Sequence, residues 1–209
     1  MTRAELKLEL AALELRVSKA EAFVAEQTKM RDRIVDRWPD RDLPIEGAGN
    51  AGAAEGEVVV VATPWDAAAA TAASVAEQLK GKVVISMANA LAKVGDEFQP
   101  LVPPRGSIAA DVQAAVPEAE VSAAFHHVPA KALGDLTAPV ESDVLVCSDH
   151  PTATRTTAEI VGALDGLRPL DAGELSNAAA VEAFTAVLLQ LNVRYRARAA
   201  VRFTGIDLD

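Results

Sequence analysis

Glu57-Val58-Val59-Val60-Val61-Ala62-Thr63-Pro64 is the stretch on which the fold turns. A run of valines ends at a threonine and a proline. Valine is stiff at χ1 and fits a pleated surface. A short, wholly apolar run of this kind suits a strand buried on both faces, as in a parallel sheet. Asp66 to Leu79 follows with a helical composition, and Gly81 is placed to stop it. Lys82-Val83-Val84-Ile85-Ser86 reads as the next strand.

The alternation continues outward from there. A loop rich in proline and glycine spans Asn89 to Gly106, and Ser107 to Val116 reads as a helix. Val121 to Phe125 and Asp143 to Cys147 read as strands, and Thr152 to Leu164 as a helix ended by Gly166. Arg168-Pro169-Leu170-Asp171 is a short extended piece. Ser176 is placed to cap a long helix whose apolar positions include Val181, Phe184, Val187, Leu188 and Leu191. Strand–helix repetition at this spacing predicts an α/β fold, a parallel sheet covered by helices. Strands at 57–62, 82–86, 121–125 and 143–147 are expected to be parallel and adjacent.

Residues 2–37 are helical in character. Leu6, Leu10, Leu13, Val17, Ala20 and Val24 recur at spacings of four and three, which makes one apolar stripe. Three readings stand: a helix packed on its own domain, a short coiled coil pairing two copies, or a degenerate first helix running into a second strand. Trp38 to Asn50 is rich in turn formers.

The 209 residues suffice for one core, or one core with a small second lobe. Half of them are hydrophobic, which excludes global disorder. The net charge of −10 argues against nucleic acid, which requires a basic footprint. Together with the absence of an apolar run of membrane length or a signal peptide, it favours a cytoplasmic protein. A single cysteine, Cys147, excludes an internal disulfide and reads as a core residue.

In an open parallel sheet, ligands bind at the carboxyl ends of the strands. That rule selects Thr63-Pro64-Trp65, Met87-Ala88-Asn89, His126-His127-Val128-Pro129-Ala130 and Ser148-Asp149-His150. Adjacent histidines on an extended segment point to opposite sides, so they do not pair on one metal ion. For His126 a structural role and a place lining a cofactor both remain open. Arg194, Arg196, Arg198 and Arg202 put four cations within nine residues of an acidic chain. An anionic partner and a solvated face are both open readings.

As a set, these segments resemble the NADPH-dependent F420 reductases, also called F420H2:NADP+ oxidoreductases. The likeness rests on Val58 to Trp65, on Leu79 to Val84, on "FHHVPA" at 125–130 and on "DGLRPLDAGELSNA" at 165–178. The stretch "RDRIVDRWPDRDLPIEGAGN" at 31–50 is similar to the actinobacterial branch. The likeness spans about Asp32 to Asp207.

The resemblance implies a Rossmann-like NADP-binding core over 38–150 and a small helical C-terminal lobe over 151–209 that completes an F420 pocket. It implies NADP and coenzyme F420 as cofactors, and hydride exchange between them, with no catalytic side chain and no metal. Thr63, Pro64 and Trp65 would lie by the nicotinamide-ribose end, with Asn89 beside the same cleft. Val128, Pro129 and Ala130 would form the wall against the deazaflavin, with His126 behind it. Ala199 would close the other side, and Arg194 and Arg198 would meet the anionic F420 tail.

One departure stands out. The family begins with a strand and a G-x-G-x-x-G turn, whose helix N-terminus holds the pyrophosphate. Here residues 1–37 read as helical in place of that strand, and the first glycine is Gly47. The chain is therefore expected to be an F420-dependent NADP reductase homologue with an impaired pyrophosphate site, and a homodimer. The alternative is a non-catalytic F420-binding or protein-interaction module that dimerises through the N-terminal helix.

Overall fold

The computed structural model describes residues 47–134 and 138–207, together with Lys29, Asp32 and Asp36, which are helical. The rest of the expected N-terminal helix lies outside the described residues. Met1–Ala53 and Ala54–Asp209 are separate compact units. In the first, a four-residue helix α1 (Asn50–Ala53) is described.

The second unit holds β1 (Val58–Val61), α2 (Trp65–Ala73), α3 (Ala76–Leu79), β2 (Val83–Ser86), β3 (Leu91–Val94), β4 (Glu97–Pro100) and α4 (Ile108–Ala115). It continues with β5 (Glu120–Ala123), α5 (Ala130–Leu133), β6 (Ser142–Ser148), α6 (Pro151–Gly162), β7 (Leu167–Asp171) and α7 (Ala178–Tyr195). Five strands form one sheet in the order β1-β2-β5-β6-β7. It is a mixed, Rossmann-like sheet flanked by helices.

The core lies on both faces. Val84 and Val121 join Val61, Ala68, Ala72, Leu79, Ile108 and Val112 on the face covered by α2, α3 and α4. Val83 and Ile85 join Val144, Val146, Ala153 and Val161 on the face covered by α6. Successive strand residues point to opposite faces, so the continuous run of β2 feeds both layers.

β1 departs from its expected double burial. Val61 is buried but Val60 is 50% exposed. Among the described residues β1 is an edge strand, and one of its faces is incompletely covered.

The four main strands are adjacent, but they are not all parallel. β1, β2 and β5 are parallel, whereas β6 pairs antiparallel to β5 through Ser122–Ser148 and Ala123–Cys147. A parallel return needs a crossover, usually a helix. Between Ala123 and Ser142 the described chain offers the four-residue α5 and no longer helix. The segment stays at the carboxyl end of β5 and enters β6 from that end. The extended piece at 168–171 is strand β7, parallel to β6. Pro169 is tolerated there because β7 is an edge among the described residues.

The loop from Asn89 to Gly106 contains a hairpin. Its two-residue turn is Gly95-Asp96, with Val94 paired to Glu97 and Gly95 at φ +61°. Glycine at the first central position with positive φ is what such a turn requires. The expected helix over 66–79 is broken into α2 and α3 by Ser74 and Val75. Ser176 does not cap the last helix. It sits inside a 3-10 turn, Leu175–Asn177, that leads into α7.

Candidate functional site

The carboxyl ends of β1, β2 and β5 converge on a cavity of about 410 Å³. Thr63, Pro64 and Trp65 leave β1; Ala88 and Asn89 leave β2; His126 to Ala130 leave β5. Thr185, Leu188, Leu189 and Asn192 of α7, with Ala199 beyond it, close the far side. Eleven of the residues singled out by sequence therefore meet: Thr63, Pro64, Trp65, Ala88, Asn89, His126, His127, Val128, Pro129, Ala130 and Ala199. A volume within the ordinary range for ligand sites, about 300–1,000 Å³, and largely apolar walls suit a planar ligand.

Ser148-Asp149-His150 does not join them. β6 runs antiparallel to β5, so its carboxyl end lies toward the opposite ends of the β1, β2 and β5 strands. His150 Nε2 instead contacts Gln113 Oε1 at 3.0 Å. Asp149 and Asp171 line a second cavity there, but each accepts a nearby backbone N–H, from Leu175 and Gly173 respectively. Both carboxylates are occupied in turn capping.

The histidine pair behaves as two separate groups. His127 Nε2 meets the Asp143 carbonyl at 2.8 Å. His126 is buried, and neither of its ring nitrogens makes a hydrogen bond of normal geometry. Burial, with a smaller contribution from His127, pushes its pKa down to about 3, so the ring is neutral. Thr63 Oγ1 and His127 Nδ1 are also buried without a partner. Unpartnered buried polar atoms are rare in proteins, yet four of them belong to residues lining this one cavity.

The wall formed by α7 is fastened through a buried carboxylate. Glu182 accepts the N–H groups of Ile108 and Ala109, at 2.8 and 3.1 Å, at the start of α4. Ser107 caps the same helix end by accepting from Ala110 N at 3.0 Å. Burial pushes the Glu182 pKa up to about 7, outweighing those two bonds. Neither Glu182 nor Thr185 emerged from the sequence. A lone acid in an apolar helical stripe was the available signal for Glu182; Thr185 gave none.

The arginine cluster is divided. α7 ends at Tyr195, Arg196 is left-handed at φ +51°, and residues 197–202 are irregular, so the four do not share a helix or strand face. Arg202 pairs with Asp143 and Glu141. Arg194 lies 3.8 Å from Glu97, and Arg198 is exposed; neither lines the cavity.

The segment Gly47-Ala48-Gly49-Asn50-Ala51-Gly52 carries the literal G-x-G-x-x-G spacing, within a stretch whose composition reads as a loop. Its context is reversed. The motif needs a strand before it and a full helix after it, whereas these glycines open the four-residue α1, and a strand comes next. The segment does not serve as a pyrophosphate turn.

The family model for NADP oxidoreductase coenzyme F420-dependent matches residues 11–90. An F420-dependent NADP reductase of Methanocaldococcus jannaschii is 33% identical, over 88% of this chain and 84% of that protein. One of Methanothermobacter marburgensis is 34% identical, over 96% of this chain and 92% of that protein. A crystal structure from Arthrobacter sp. FB24, assigned as an F420-dependent NADP reductase, superposes with a TM-score of 0.65 at 25% identity. It covers 72% of this chain and 71% of its own. No helix among the described residues is long and apolar enough to cross a membrane. Identity at this level along nearly the whole chain places it in the family of F420-dependent NADP reductases, which are oxidoreductases.

Proposed function

We propose that this chain passes hydride between NADP(H) and coenzyme F420 across the cavity at the carboxyl ends of β1, β2 and β5. The observation that carries the reading is the convergence there of Thr63-Pro64-Trp65, Asn89 and His126–Ala130 around four unpartnered buried polar atoms. When bound, the two cofactors supply the redox chemistry themselves. The chain's part is to bind, orient and exclude water.

Thr63, Pro64 and Trp65 take the nicotinamide-ribose end, with Asn89 beside it. Val128, Pro129 and Ala130 form the deazaflavin wall. His126 stands behind that wall as a neutral ring, so it offers a hydrogen bond without introducing a charge. Ala199 closes the opposite side. Arg194 and Arg198, exposed outside the cavity, attract the anionic tail of F420. The residues from 151 onward complete the F420 side.

The NADP side is the weaker one. A helix N-terminus supplies several N–H donors to a pyrophosphate. With no glycine turn between a first strand and helix, loss of two charge-assisted bonds at about 1.5–3 kcal/mol each lowers affinity roughly a hundredfold or more. The proposed protein is cytoplasmic and a homodimer.

Separate titrations test the reading. F420 fluorescence is expected to be quenched at micromolar protein, and calorimetry to show NADPH binding weaker than low micromolar. Absence of F420 binding at any ionic strength would remove the enzyme reading and leave the N-terminal interaction module. Low-micromolar NADPH affinity would remove the impaired-site reading alone.

A further inference from the structure

We infer that Thr185 of α7, together with Asn89, clamps the main-chain carbonyl of His126 and thereby holds the His126–Ala130 wall in its binding shape. Thr185 is thus a positioning residue for the deazaflavin side. The inference rests on the proposed function above.

The first observation is backbone strain. Phe125 has φ +65°, a region disfavoured for any residue with a Cβ and most of all for a bulky one. It stands where the chain leaves β5 and turns into the cavity wall. Its carbonyl closes that turn by accepting Val128 N at 3.1 Å. Strained backbone persists where surrounding groups over-determine it, and such places cluster at functional sites.

The second observation identifies the restraining groups. The next carbonyl, that of His126, accepts Asn89 Nδ2 at 3.0 Å and Thr185 Oγ1 at 3.0 Å. Thr185 Oγ1 also lies 3.3 Å from Asn89 Oδ1, so its proton is shared, with the shorter contact to His126. A threonine inside a helix commonly bonds the carbonyl of its own preceding turn. Thr185 instead reaches a carbonyl 59 residues away in sequence. The clamp ties together the ends of β2 and β5 and the helix that closes the cavity. It adds to the Val128–Phe125 turn bond and the His127–Asp143 contact in opposing relaxation of φ to negative values, and its loss loosens the wall.

Thr185→Val removes the hydroxyl at nearly constant volume, and Thr185→Ser keeps it. Hydrogen exchange of the amides of 126, 127, 128 and 130 in the ligand-free chain is expected to quicken about tenfold in Thr185→Val, the equivalent of one lost hydrogen bond. The dissociation constant for F420 should rise by about the same factor, with that for NADPH changed less than twofold. Thr185→Ser should restore both properties. Unchanged exchange in Thr185→Val, faster exchange with unchanged F420 affinity, or failure of Thr185→Ser to restore would each overturn the inference. If the wild-type chain binds no F420, the functional reading fails on that result. The exchange comparison between the valine and serine variants then decides the clamp by itself.

Discussion

Asp143 and Arg168 are register partners on β6 and β7, and the guanidinium meets the carboxylate through two bonds, at 2.7 and 2.8 Å. The Asp143 side chain is fully buried, and Phe203 N and Arg202 Nη1 add further bonds, at 2.6 and 3.0 Å. Arg168 in turn donates to the carbonyls of Phe203 and Ile206. The pair therefore fixes the C-terminal segment that follows Ala199 along the sheet edge. Charge-assisted, bidentate contacts of this kind are the strong ones.

Asp143→Ala is expected to destabilise the chain by about 1–3 kcal/mol, because the partly exposed Arg168 and Arg202 guanidiniums and Phe203 N lose their shared buried acceptor. Denaturant unfolding measures this. The Arg168 guanidinium is the main cause holding the Asp143 pKa well below the usual carboxylate range. Its folded value lies below the unfolded one, so its stabilisation is complete above about pH 4. It is lost as pH falls toward the folded value. In Asp143→Asn that acid-dependent loss should vanish along with the stability.

His126 and Glu182 are predicted to oppose each other in the pH dependence of stability. The folded pKa of His126 is lowered from 6.5 to about 3, so the unfolded chain binds the extra proton between those values. Stability from this group is complete above pH 6.5 and declines as pH falls. Glu182 is raised from 4.5 to about 7, so here the folded chain binds the extra proton. Stability from Glu182 increases as pH falls from 7 to 4.5. One proton bound by only one of the two states changes stability by about 1.4 kcal/mol for every pH unit crossed. Between pH 6.5 and 5 each group therefore contributes a change of about 2 kcal/mol, and the two largely cancel. His126→Phe should leave a chain that gains stability on mild acidification. Glu182→Gln should leave one that loses it, with a lower baseline because the α4 N-terminus is less well capped. Urea midpoints at pH 5, 6, 7 and 8 decide between this and independence from both groups.

Much of the cavity was legible because parallel strands announce themselves. The runs at 58–61 and 83–86 are apolar on both faces, and the rule that ligands sit at strand carboxyl ends then selects Thr63, Asn89 and His126. The direction of β6 was not legible. An apolar run reads the same in either direction, and only the shortness of α5 reveals the antiparallel return. The hairpin at 91–100 was hidden in a loop, although Val94-Gly95-Asp96-Glu97 carried a turn signal. Glu182 and Thr185 were missed because their partners are backbone groups at 108, 109 and 126, far away in sequence. The arginine cluster is close in sequence but divided in space: the left-handed residue at 196 ends the helix, and Arg202 is committed to Asp143 and Glu141.

Phe125→Gly sets strain against burial. Glycine relieves the positive-φ penalty of roughly 1–2 kcal/mol. Removing a ring that is 8% exposed within the core beneath α6 costs about 3–5 kcal/mol, on the scale of Phe→Ala changes. Burial wins, so the variant should be less stable by about 1–4 kcal/mol. Thermal or urea unfolding would show the change, and a stabilised variant would mean that the ring contributes little to the core.

The two faces of the proposed F420 site can be separated by substitution. Ala130 begins α5, lines the cavity and is exposed, so a larger side chain has room to project over the cavity without disturbing the core. Ala130→Phe should abolish F420 binding by occupying ring space while leaving the unfolding midpoint close to wild type. Arg194 and Arg198 lie outside the cavity on exposed chain, and the Arg194 contact to Glu97, between two exposed side chains 3.8 Å apart, is too weak to hold the guanidinium. Their attraction for an anionic tail acts through solvent and falls as the Debye length shrinks from about 10 Å at 0.1 M salt to about 3 Å at 1 M. F420 affinity in the wild-type chain should therefore drop as salt rises. Arg194→Gln with Arg198→Gln should lower affinity at low salt and flatten the dependence, converging on wild type at 1 M. Fluorescence titration at three ionic strengths reads both effects. If the double variant keeps the full salt slope, the tail is held elsewhere, and Arg105, exposed after the hairpin, is the next cation to replace.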